Sequence, residues 1–162
     1  MTMGQEFHGW GFTINDEIEN LRAAQEHLKI VNLGATAIGT TVTAAPGYPE
    51  LAVKNLAELT GIDFKNSEDL IAATSDCGAY MTLSSAIKGL AVKMTKVCND
   101  IRLLASGPRC GLKEINLPQL QPGSSIMPGK VNPVAAEVAN QASFLAIGLD
   151  TTVMLAASAD RK

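Results

Sequence analysis

From Tyr80 to Leu104 the apolar residues Tyr80, Leu83, Ile87, Leu90, Met94, Val97, Ile101 and Leu104 return at alternating intervals of three and four. This is a heptad seam, and it constrains the fold more than any other feature of the chain. Upstream, Ser67, Glu68 and Asp69 mark a helix start, because acids complement the helix dipole in the first turn. The expected helix therefore runs from Ser67 to Ala105, about 58 Å at 1.5 Å per residue. A globule of 162 residues does not bury a helix that long by itself. The seam calls for other long helices, from this chain or from neighbouring subunits. Composition agrees: 46% of residues are hydrophobic but only 4% aromatic, so aliphatic side chains must fill the core. That suits closely packed helices better than a β-sandwich. The expected fold class is all-α, a long-helix bundle.

Other segments supply such helices. Residues 1–33 read as mostly helical, with Ile14, Ile18, Leu21 and Leu28 along one seam and Gly34 as the residue past the C-cap. Residues 35–48 are rich in Ala, Thr and Gly and read as an irregular connection. Its threonines either line a polar site or satisfy the loop's own backbone. A short helix is expected over 49–60, opened by Pro49 and closed by Gly61. After Ala105 the turn Ser106–Gly111 breaks the seam helix, and Pro118 and Pro122 keep residues 112–122 extended or turned. An alanine-rich last helix runs from Pro133 to about Ala157 and stops at Asp160, Arg161 and Lys162 without a glycine cap. At the other end the helical pattern is already running at Met1. Both ends read as cut, so the chain is expected to be part of a longer protein.

Net charge is −3 with a pI near 5.3, which leaves no basic footprint for nucleic acid. No uncharged apolar run reaches the length of a membrane span, and Met1 is not followed by the pattern of a signal peptide. Cys77 and Cys98 fall in predicted helix and Cys110 in a turn. The odd, widely spaced set fits a reduced, cytoplasmic setting rather than a disulfide framework or zinc site. His8 and His27, the two histidines, have no metal-ligand spacing to other side chains, and His27 reads as a solvated helix-face residue. Asp100 and Arg102 interrupt a nearly apolar helix end as a solvated face, an ion pair or a buried structural element.

The chemically distinctive stretch is Gly123–Pro133, Gly-Ser-Ser-Ile-Met-Pro-Gly-Lys-Val-Asn-Pro. Gly123, Pro128 and Gly129 forbid regular structure, and Asn132 followed by Pro133 reads as an N-cap with proline at the first helical position. A loop bearing the hydroxyls of Ser124 and Ser125 and the Lys130 ammonium thus runs into a helix N-terminus, where free N–H groups favour anions. On composition alone, an ordinary capped interhelical loop is the favoured reading.

The same stretch matches the signature of the aspartase/fumarase superfamily, and the resemblance extends over nearly the whole chain. Asn32–Thr40, Asp69–Tyr80, Ala91–Leu104 and Glu114–Leu120 resemble the aspartase branch. The resemblance implies the central helical domain of such a lyase over residues 1–162, with the N- and C-terminal domains absent. It implies β-elimination of ammonia from L-aspartate to give fumarate, without a metal or organic cofactor. By motif position, Ser124 corresponds to the general base. Ser125, Lys130 and Asn132 correspond to substrate-binding positions, and Glu137 to an acid that orients a neighbouring catalytic group. Members are homotetramers whose active sites combine segments from three subunits. Only one of those segments is present here, and Met1–Phe7 resembles the stretch just after a second. Alone, the chain is expected to be inactive. The alternatives are a class II fumarate hydratase or other superfamily lyase, and a non-catalytic helical oligomerisation fragment.

Overall fold

A computed structural model describes residues 1–159 of the chain. The end of the last helix pattern at Asp160, Arg161 and Lys162 lies outside the described residues. Five helices and one two-stranded pair follow in order: α1 (Met3–His27), β1 (Ile30–Val31), α2 (Tyr48–Thr60), β2 (Lys65–Asn66), α3 (Leu70–Ala73), α4 (Gly78–Leu104) and α5 (Val134–Ser158). The all-α expectation stands. The chain divides into two compact units, one made of Met1–Ile18 and Ile87–Leu149, the other of Glu19–Ala86 and the segment from Asp150 onward.

The first unit holds the start of α1, most of α4, the long connection 105–133 and most of α5. Its buried residues stand at heptad-like intervals on each helix: Trp10 and Glu17 on α1, Ala91 and Cys98 on α4, and Ala136, Asn140 and Ser143 on α5. Small residues at these positions let helix backbones approach closely. Two polar members of the lines, Glu17 and Asn140, have partners on another helix. The carboxylate of Glu17 pairs with Lys93, and Asn140 Nδ2 donates to Asn99 Oδ1 at 2.8 Å. Burial of the Cys98 thiol pushes its pKa up. Asp100 forms an ion pair with Lys96 one turn away, and Arg102 donates to Asn99 Oδ1 at 3.3 Å. The Asp100 hydrogen bond raises the pKa of Lys96.

In the second unit α1 stops at His27, earlier than the expected residue 33. Residues 28–29 form a turn, and Ile30–Val31 pairs in parallel with Lys65–Asn66. Apolar spacing alone does not separate a helix's last turn from a short strand of this kind. A parallel pair needs a crossover, and α2 is in it. Gly61 closes α2 as expected, with φ 70° and its N–H donated to the Ala57 carbonyl at 2.9 Å. The threonine-rich connection satisfies its own backbone: Thr41 N–H donates to the Ala35 carbonyl at 3.2 Å, and Ala44 N–H to that of Thr41 at 2.9 Å.

The continuous helix from Ser67 to Ala105 is the main correction. Asp69 caps α3 instead, its carboxylate accepting from Ile71 N–H at 2.8 Å and Ala72 N–H at 3.0 Å. The Thr74 hydroxyl donates to the Leu70 carbonyl at 2.7 Å, and Asp76 accepts from Gly78 N–H at 2.9 Å. Short polar side chains here outcompete the helix for its own backbone groups. Cys77 consequently stands just before α4 rather than within helix. What remains, α4, has 27 residues and is about 40 Å long. Along its seam Leu83, Leu90, Met94, Val97, Ile101 and Leu104 are half-buried, while Tyr80 and Ile87 are exposed.

Candidate functional site

The connection 105–133 lies wholly within the first unit. Its first part folds back on the end of α4. Ser106 Oγ donates to the Leu103 carbonyl at 2.5 Å and accepts from Leu112 N–H at 3.1 Å. The Ser106 carbonyl accepts from Lys113 N–H at 2.8 Å, and the Leu104 carbonyl from Glu114 N–H at 2.9 Å. Helix-terminal carbonyls are thereby satisfied. Gly111 makes the pinch possible, since a Cβ there would stand 2.4 Å from the Ser106 carbonyl carbon. Lys113 leaves the turn with φ 54°, in the left-handed region.

The second part is the signature loop. Its neck is Gly123, where a Cβ would come within 2.6 Å of the Lys130 carbonyl oxygen. Inside the loop, Lys130 N–H donates to the Met127 carbonyl at 3.1 Å, and Gly129 has φ 82°. Pro128 followed by a left-handed glycine is the arrangement of a type II turn. Ser124 Oγ is half-buried and accepts from Ile126 N–H at 3.2 Å and Met127 N–H at 3.3 Å. Two backbone donors converging on one hydroxyl oxygen favour negative charge there. Ser125 and Lys130 are exposed.

Helix α5 begins one residue later than expected. Glu137 N–H donates to the Pro133 carbonyl at 3.0 Å, which makes Pro133 the N-cap and puts Asn132 outside the helix. No hydrogen bond among the described residues ties the Asn132 side chain to the first turn. The competition between cap and ligand for this side chain therefore disappears. Glu137 is half-buried in the first turn.

A groove of about 620 Å³ runs between the two parts of the connection. Lys130 and Asn132 line it together, with Lys113 and Asn116 from the other part. Ser124, Ser125 and Glu137 do not line it; they flank it in sequence on the loop and on α5. Asn132 also borders a smaller, apolar cavity of about 290 Å³ walled by Cys98, Ile101 and the start of α5. Lys113 is not distinguished by motif or spacing, and Asn116 only as part of the stretch 114–120; the folding back of 106–117 brings both to the groove that Lys130 lines. Among the described residues no three His, Cys, Asp or Glu side chains stand together as a metal site.

The family described as lyase matches residues 1–148. The chain is 59% identical over 159 residues to the aspartate ammonia-lyase of Escherichia coli (strain K12), covering 98% of this chain and 33% of that protein. It is 52% identical over 157 residues to the aspartate ammonia-lyase of Helicobacter pylori (strain ATCC 700392 / 26695), covering 97% of this chain and 34% of that protein. The chain thus spans about a third of the length of these relatives. Among solved structures, the cobalt-bound fumarate lyase:delta crystallin from Brucella melitensis superposes with a TM-score of 0.94 at 46% identity, over 98% of this chain and 35% of that one. The recombinant class II fumarase from Schistosoma mansoni superposes with a TM-score of 0.91 at 31% identity, over 99% of this chain and 37% of that one. Helix order, signature loop and likeness over nearly the whole sequence agree: the chain belongs to the lyase family of the aspartases and fumarases.

Proposed function

We propose that residues 1–162 form the central helical domain segment of an aspartate ammonia-lyase, with the N- and C-terminal domains outside the segment. The observation that carries the choice within the family is the higher identity to aspartate ammonia-lyases than to a class II fumarase. In the proposed reaction Ser124 removes a proton from the carbon beside the β-carboxylate of L-aspartate. The electron pair moves into that carboxylate as an aci-carboxylate, then returns to form the double bond as the C–N bond breaks. Fumarate and ammonia result. A serine hydroxyl is a poor base, so its surroundings must stabilise the alkoxide. The two N–H groups donated to Ser124 Oγ support this role. Lys130 supplies a positive charge for the aci-carboxylate, and Asn132 and Ser125 supply hydrogen bonds. Glu137 orients a neighbouring catalytic group. The elimination needs no metal or organic cofactor in this reading.

The complete protein is proposed to be a cytoplasmic homotetramer. Support comes from α5, which exposes Phe144, Leu145, Leu149, Met154 and Leu155 while burying Asn140, Ser143 and Asp150. By length and composition α5 also passes for a membrane-crossing helix. Its buried polar line fits a partner helix better, since Asp150 accepts from the Ser84 hydroxyl at 2.8 Å.

The test is fumarate formation by the full-length protein, followed by ultraviolet absorbance, with L-aspartate and L-malate as separate substrates. Fumarate from aspartate alone is expected. Turnover of malate in preference would assign a fumarase, and turnover of neither would leave a helical oligomerisation module. The isolated 162-residue chain is expected to turn over neither substrate.

A further inference from the structure

We draw no further inference here: the strongest candidate, the apolar cavity of about 290 Å³ between the end of α4 and the start of α5, walled by Cys98, Ile101, Leu117 and Ala136, is an unpartnered apolar surface, and nothing in the structure shows what covers it.

Discussion

Ser124, the proposed base, holds its hydroxyl oxygen against two backbone donors, an arrangement that favours negative charge there. Its oxygen accepts from the N–H groups of Ile126 and Met127, two and three residues on, immediately before the turn in which Lys130 N–H donates to the Met127 carbonyl. Ser124→Ala in the full-length protein is expected to lower kcat about a thousandfold while Tm moves little, measured by fumarate release and thermal melting. Cys98 makes a prediction of opposite kind, on stability alone. Burial raises its pKa, so the folded state prefers the neutral thiol. Its stabilising contribution is fully present below the unfolded thiol's pKa and is lost as pH rises through the folded value. Denaturant midpoints are therefore expected to fall more steeply for the wild type than for Cys98→Ala above about pH 9. At this scale the sequence was partly legible. Ser124, Lys130 and Asn132 were distinguished by their motif. Lys113 was not, because only the folding back of 106–117 brings it to the groove that Lys130 also lines.

Among the elements, the least legible was the predicted 67–105 helix. Its heptad spacing is real, yet Asp69 caps α3 and Asp76 accepts from Gly78 N–H at the start of α4, so the stretch is divided in two. Periodicity reports which face is apolar and is blind to such local competition. The end of α1 was misplaced for a related reason, since Ile30 and Val31 satisfy their backbone against a strand more than thirty residues away. Gly39 shows how tightly these pieces meet within the second unit. It has φ 84°, and a Cβ would lie 2.4 Å from both Ile71 Cα and the Leu70 carbonyl oxygen. These neighbours are backbone and cannot rotate away. Gly39→Ala is expected to cost at least ~2 kcal/mol, read from chemical denaturation of the full-length protein.

Across the whole chain, apolar surface exceeds what the chain covers. Trp10 is the one aromatic residue in the buried apolar set, whereas Phe144, Leu145 and Leu149 of α5 are more than half exposed. Surface of this kind calls for a partner. Leu145→Lys is expected to dissociate the proposed homotetramer of the full-length protein, seen as a lower sedimentation coefficient, with helical content retained by circular dichroism. The sequence by itself determined the helical class, the turn-forming loop 123–133 and the candidate residues in it. These follow from local chemistry: apolar periodicity, proline and glycine geometry, and a motif of contiguous residues. Only the tertiary structure decided where the seam helix breaks, that the cap falls on Pro133, and that Lys113 and Lys130 share one acid-free groove. The first two turn on local competition for backbone groups that apolar periodicity does not record, and the third on segments apart in sequence meeting in space.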